Sequence, residues 1–297
     1  MRIGYPCINR TIGCRGDRTF RLASYSEERL YETVAGNLAC LQQILAWNLT
    51  AGILFFRISS DLVPFASHPV CTHPWQNHFA AEFAALGTFI RENGIRISMH
   101  PDQFIVLNAR DEKIVARSIA ELTYHAEVLD IMGLDTTAKI QLHVGGVYGD
   151  REESGERFIR IYENLDPAIH RRLVIENDEQ RYSAADCLAI HERTGIPVLF
   201  DVFHHSCNNN GESVGEMLTS VGTTWSSRDG LPMVDYSSQH PEKRPCSHAE
   251  HIDPGDFSAF LVESRPHDFD IMLEIKDKEA SARIAVQLAG NDPRFIG

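Results

Sequence analysis

The stretch "RISMHPDQF", residues 96–104, continues the apolar Ile95 with Ile97 and Met99 and then breaks into His100, Pro101, Asp102, Gln103 and Phe104. An apolar run that stops at a proline reads as a buried strand ending near Met99, since proline donates no hydrogen bond to a sheet. A histidine stands where that strand meets the surface. The same pattern recurs in "GILFFRIS" (52–59), "KIQLHV" (139–144), "RLVIEN" (172–177), "PVLFDV" (197–202), "LPMVDYS" (231–237) and "DIMLEI" (270–275), and "RIGY" (2–5) makes eight candidate strands. Their hydrophobicity is continuous, as in strands buried on both faces and therefore parallel.

Helical periodicity fills the intervals. After the capping-type "SYSEE" (24–28), Leu30, Val34, Leu38, Leu41 and Leu45 recur on one helical face, as do Phe79, Phe83, Leu86 and Ile90, and then Val115, Ile119, Leu122, Ala126 and Leu129. From Ser59 to Glu274 six strand-to-strand steps average about 36 residues, the repeat of a (β/α)8 TIM barrel with longish loops. The expected fold is one such barrel, a single domain over residues 1–297. An open doubly wound sheet is the competing architecture, but it gathers its chemistry at one switch point, whereas here polar residues end strands all along the chain.

Those strand-end residues are Ser59, His100, His143, Glu176, Asp201, Asp235 and Glu274, with His204 just after Asp201. Taken singly, a strand-end histidine is usually a hydrogen-bonded structural residue and an isolated acid a cap. Seven together on one barrel rim would repel one another unless divalent cations neutralised them. Neither C-x-x-C nor H-E-x-x-H occurs, so the signal is distributed rather than local.

Composition sets the surroundings. The seven cysteines are an odd, scattered set, expected to be reduced core thiols in a cytoplasmic protein, and no run is long and apolar enough to span a membrane. A formal net charge of −13 argues against a nucleic-acid partner, but Arg10, Arg15, Arg18 and Arg21 form a local basic arm near the N-terminus, and bound cations would offset part of the acid.

The motifs "RIGYPCIN" (2–9), "FRISSDLVPFASHP" (56–69), "SMHPDQF" (98–104), "LHVGGVYGD" (142–150), "LVIENDE" (173–179), "VLFDVFHH" (198–205), "YSSQ" (236–239) and "LEIKDKE" (273–279) resemble, in order and over essentially the whole chain, the ultraviolet DNA damage endonucleases. The resemblance implies a (β/α)8 barrel related to endonuclease IV. It implies a cluster of two or three divalent ions, manganese foremost with magnesium or zinc as alternatives, and cleavage of the phosphodiester immediately 5' of cyclobutane dimers and 6-4 photoproducts in duplex DNA. By position, His100, His143 and Glu176 would hold one ion, Glu176 would bridge to a second held by Asp201 and Glu274, and His204 with His248 would hold a third. Glu176 and His68 would carry catalytic roles, His68 beside the scissile phosphate. Gln103 and Phe104 would wedge the duplex, filling the space left by extruded bases, and Tyr5 and Asn9 would contact the lesion. The relatives further imply a monomer, here with nucleoid-associated activity in the cytoplasm.

One departure concerns the seventh strand. Relatives usually carry Lys-x-His there, whereas this chain has Met233 and Asp235. Asp235 can replace an imidazole ligand with a harder oxygen donor; Met233 cannot bind a hard cation, which puts the third ion in question. Two other readings follow: a lesion-binding protein with weakened cleavage, or a metal-dependent sugar isomerase of the xylose isomerase type on the same barrel.

Overall fold

All eight apolar runs form strands: β1 (Ile3–Pro6), β2 (Phe55–Ile58), β3 (Arg96–Met99), β4 (Lys139–His143), β5 (Leu173–Glu176), β6 (Val198–Asp201), β7 (Met233–Tyr236) and β8 (Asp270–Leu273). In the computed structural model, which describes residues 1–297, each strand pairs in parallel with its sequence neighbour, and β1 also pairs with β8, so the sheet closes. Closure removes the open-sheet alternative. A helix follows every strand: Glu27–Thr50, Ala80–Glu92, Glu112–Ile131, Arg151–Glu163, Ala184–Thr194, Val214–Gly222, Pro254–Glu263 and Glu279–Ala289.

Local chemistry explains where the helices start. Ser26, Asp111 and Asp150 accept hydrogen bonds from the backbone N–H groups of Arg29, Lys113 and Glu153, and Ser183 with Asp186 and Ser213 with Glu216 close reciprocal capping boxes. Leu30, Val34, Leu38, Leu41 and Leu45 are all buried, as the periodicity required. In Glu112–Ile131 the buried face is carried by Leu122, Ala126 and Leu129, while Val115 and Ile119 near its start are only half-buried.

Side chains alternate across each strand, so every second residue faces the barrel axis. Two positions below the rim acids lie Val174, Leu199, Met233 and Met272, which join Phe55 in a separate apolar plug. Beneath the plug the floor is ionic: Arg96 Nη1 lies 2.9 Å from Asp270 Oδ2 and Lys139 Nζ 2.5 Å from Asp229 Oδ1. The plug thus isolates a paired set of charges below from the rim acids above.

The cysteines depart from expectation. Cys14 and Cys40 are joined by a 2.05 Å S–S bond and Cys207 and Cys246 by one of 2.10 Å; Cys7, Cys71 and Cys187 are free. The partners are 26 and 39 residues apart along the chain. No helix is long and apolar enough to cross a membrane.

His125, wholly buried in Glu112–Ile131, bonds through Nδ1 to the Glu121 carbonyl at 2.7 Å and leaves Nε2 without a partner. Burial pushes its pKa down from 6.5 to about 4, outweighing the opposing hydrogen bond to Glu121. The folded state therefore binds fewer protons than the unfolded chain between these values, and stability falls as the pH drops from about 6.5 through 4. His125→Leu is expected to remove up to about 3 kcal/mol of the difference in unfolding free energy between pH 7 and pH 4, measured by denaturant titration in chelator at both pH values. An unchanged difference would show that His125 is not a source of acid sensitivity.

Candidate metal centre and active site

The two-residue period and the strand register determine what meets at the C-terminal mouth. His143 is aligned with Glu176 across β4 and β5, and Asp201 with Asp235 across β6 and β7; His100 and Glu274 directly follow β3 and β8. Donor atoms fall into three overlapping groups, each within 4.8 Å: His100, His143 and Glu176; Glu176, Asp201 and His204; and Asp201, Asp235 and Glu274. Glu176 and Asp201 are shared, so carboxylates link the three groups into one centre.

Four acids in one buried mouth cannot all stay ionised without compensation. His143 Nε2 lies 3.0 Å and His100 Nε2 3.7 Å from the Glu176 carboxylate. Burial alone would raise Glu176, but the two imidazoles hold it down at about 2. Asp201 goes the other way: burial, with Glu274, Asp235 and Glu176 adding repulsion, pushes it well above the carboxylate range against His204. Burial would lower His204, yet chiefly Asp201 raises it to about 9. Burial, opposed by Arg57, lifts Asp235 to about 7, whereas in Glu274 the effect of burial is overcome by Arg57, His100 and His248.

Several polar atoms here have no hydrogen-bond partner: Asp201 Oδ2, Asp235 Oδ1 and His143 Nδ1. His204 Nδ1 lies 3.2 Å from Asp201 Oδ2 but is hydrogen-bonded to the Asn177 carbonyl at 3.1 Å. Buried, unpaired carboxylate oxygens beside imidazoles are what a divalent cation requires, and the donor set fits one. It contains nitrogen and oxygen but no thiolate, which suits manganese or magnesium as well as zinc.

Two residues of this centre escape a reading based on strand ends. Arg57 of β2 is buried between two acids, with Nη2 2.6 Å from Asp235 Oδ2 and Nη1 bonded to Glu274 Oε1. Gln141 of β4 donates through Nε2 to Asp235 Oδ2 at 2.8 Å and also to Glu176 Oε2. Both sit two positions before a strand-end residue, on the same inward parity, which is the signal that could have revealed them.

The remaining expected residues divide. His248 lies outside the three donor groups; its Nδ1 contacts the Glu274 carbonyl at 2.9 Å and its ring centre is 6.0 Å from that of His204. The Cys207–Cys246 bond ties together the segments that carry these two histidines. His68 is exposed, its Nδ1 accepting from Val70 N. Gln103 and Phe104 project from the loop after β3, and Phe104 is 73% exposed, the largest value among the big apolar side chains. Tyr5 and Asn9 are both buried. Tyr5 faces outward from β1, fully buried, and its hydroxyl donates to Asn48 Oδ1 at 2.6 Å while accepting from Asn9 Nδ2 at 2.9 Å. Strand parity turns its ring toward the helix Glu27–Thr50, so the lesion contact expected of it has no exposed surface.

The fold and donor groups define a TIM-barrel protein with a candidate multinuclear metal centre. The sequence matches the family described as UV-endonuclease UvdE over residues 1–291. A UV DNA damage endonuclease of Clostridium perfringens (strain 13 / Type A) is 40% identical over 284 residues, covering 95% of this chain and 69% of the relative, and one of Bacillus cereus (strain Q1) is 34% identical, covering 94% and 91%. The crystal structure of SacUVDE superposes with a TM-score of 0.94 at 49% identity over 98% of both chains. Endonuclease IV from Thermus thermophilus, at 17% identity and a TM-score of 0.55 over 86% of this chain and 96% of its own, shares the fold. The chain belongs to the UV-endonuclease UvdE family and by that membership is an enzyme.

Arg57 is the main protein-borne counter-charge of the centre. Arg57→Met leaves Asp235 and Glu274 facing each other, and the expected loss is about 3–5 kcal/mol of unfolding free energy in chelator, of which saturating Mn(II) recovers part. Denaturant titrations with and without the ion test this, and a loss indifferent to Mn(II) would show that Arg57 and the ion do not share those acids.

Proposed function

We propose that this chain, acting as one barrel domain and as a monomer, is a metal-dependent DNA repair endonuclease. It recognises cyclobutane pyrimidine dimers and 6-4 photoproducts in duplex DNA and hydrolyses the phosphodiester immediately 5' of the lesion. The observation that carries this reading is the set of orphaned carboxylate oxygens within three overlapping donor groups, in a member of the UvdE family. His100, His143 and Glu176 would hold one ion and Asp201, Asp235 and Glu274 a second, Glu176 and Asp201 also belonging to the group with His204; His204 and His248 would serve a third. Ions bound there, manganese or magnesium ahead of zinc given the added oxygen donor of Asp235, supply Lewis-acid charge and an acidified water for phosphodiester hydrolysis.

The protein's own groups prepare that chemistry. Glu176, held ionised by His100 and His143, keeps its carboxylate available for a bridging role across the working pH range. The apolar plug under the centre excludes water from below, so charge inside the mouth is strongly felt. His68 stands on the loop after β2 with Nε2 free, able to contact the phosphate or pass a proton to a leaving oxygen. Exposed Phe104, with Gln103 beside it, enters the duplex and stacks where the damaged bases leave, and lesions that weaken stacking lower the cost of extrusion. Despite the acidic whole, Arg15, Arg18 and Arg29 line one cleft with Phe20; Asp17, paired with Arg15, and Glu32 share it, so Arg18 and Arg29 are the arginines left to meet the backbone.

The test is a labelled duplex with one cyclobutane dimer, incubated with the protein and Mn(II). A single nick 5' of the dimer, abolished by chelator and by Glu176→Gln, is the expected result. Retarded but intact DNA would instead support a lesion-binding protein, the reading that Met233, buried in the plug and unable to serve as a ligand, keeps open. Neither outcome would turn attention to sugar substrates. Phe104→Ala is expected to weaken binding to the dimer duplex by about 1–3 kcal/mol, roughly 5- to 150-fold, read by fluorescence anisotropy without metal; affinity for undamaged duplex should change far less, and equal losses on both would remove the wedge role.

A further inference from the structure

The backbone is strained at one end of the barrel only. The five non-glycine residues with positive φ are Cys7, Phe65, Tyr148, Cys246 and Lys278, and each lies on a segment leaving the C-terminal end of a strand, after β1, β2, β4, β7 and β8. At the opposite end, the segments entering β2, β3, β4, β6 and β7 use Gly52, Gly94, Gly133, Gly195 and Gly230 for the same conformation, at no steric cost. Strain of this kind persists where surrounding structure enforces it, and it gathers at functional sites.

Lys278 is the extreme case. Its φ of 56° and ψ of −114° suit glycine, and it precedes the helix Glu279–Ala289 without capping it through its side chain. Lys276, two residues earlier, pairs with Glu250 at 2.6 Å, and buried Lys139 pairs with Asp229. Lys278 is half-buried and has no such partner. Burial lowers its pKa, with Glu274 opposing and Arg57 and Arg10 adding to the fall, at the end of the barrel where β8 meets β1. A partly desolvated ammonium is unfavourable without an anion, and a strained backbone holds this one on the short segment that runs from the donor Glu274 to the last helix.

Building on the endonuclease reading, we infer that Lys278 is a substrate-contacting residue whose ammonium binds the phosphate at the cleavage site, its strained backbone fixing the side chain toward the mouth. A fixed positive charge at that point favours a phosphodiester over a neutral substrate, and it adds a salt-sensitive contact to binding. The residue sits in "LEIKDKE", where the metal centre uses only the glutamate.

The test compares wild type, Lys278→Met, Lys278→Arg and Lys278→Gly on a dimer-containing duplex in chelator, with a second duplex carrying a neutral methylphosphonate at the linkage 5' of the dimer. Lys278→Met should bind the natural duplex about tenfold more weakly, with the slope of log K against log salt smaller by about one. On the methylphosphonate duplex wild type and Lys278→Met should bind alike. Lys278→Arg should restore most of the loss, and Lys278→Gly should bind weakly while melting at or above the wild-type temperature, since glycine relieves the strain. Equal affinity of wild type and Lys278→Met on the natural duplex, a difference that survives the methylphosphonate, or a Lys278→Gly protein that melts lower would overturn the assignment. If wild type nicks the dimer duplex once Mn(II) is supplied and Lys278→Met binds it equally well in chelator, the lysine assignment alone fails; if wild type neither binds it in chelator nor nicks it with Mn(II), the endonuclease reading fails and takes the lysine with it.

Discussion

Closing a parallel sheet on itself obliges alternate side chains of all eight strands to share one axis, and in this chain the top layer of that axis is acidic. Glu176, Asp201, Asp235 and Glu274 cannot be moved apart without breaking the register that aligns His143 with Glu176 and Asp201 with Asp235. Their repulsion is therefore a property of the fold, and it adds to burial in raising Asp201 and Asp235. Arg57 and Gln141 relieve part of it from within the barrel, but both act on Asp235 Oδ2 and leave Oδ1 bare. What remains unsatisfied, Asp201 Oδ2 and Asp235 Oδ1, lies buried among the donor groups.

The two ends of the barrel handle charge and strain in opposite ways. At the floor, Arg96 and Lys139 meet Asp270 and Asp229, and glycines make the turns. At the mouth, carboxylate oxygens lack partners and non-glycine residues hold positive φ. The apolar plug of Phe55, Val174, Leu199, Met233 and Met272 separates these regimes. Stability thus resides below and around the plug, and the strained, uncompensated end is supported by it.

Much of this was legible in the sequence because parallel buried strands leave a plain mark: an apolar run that ends in a polar residue. That mark located all eight strands and, through His100, His143, Glu176, Asp201, Asp235 and Glu274, the three donor groups. It failed where a polar residue lies inside a run. Arg57 and Gln141 read as interruptions of β2 and β4, although parity places them on the axis with the donors. Tyr5 shows the converse, a residue in a shared motif whose parity sends it outward to Asn48. The disulfides were invisible for a different reason, because each joins a helical cysteine to one on a loop, and how a loop folds back on a helix is not written in spacing along the chain.

The exchange at the seventh strand now has a structural logic. Where related sequences are expected to carry a lysine and a histidine, Met233 drops into the apolar plug and adds to the floor of the mouth, making a dry platform in place of a polar one. Asp235, one inward position higher, gains an acid that Arg57 and Gln141 half-satisfy, and its free oxygen completes a group with Asp201 and Glu274. The two residues are related through the parity of one strand: the lower is apolar and joins the plug, the upper is charged and joins the donors. An oxygen donor in that place, backed by an arginine rather than by solvent, would suit hard cations better than soft ones, and it keeps the acidic link to Asp201.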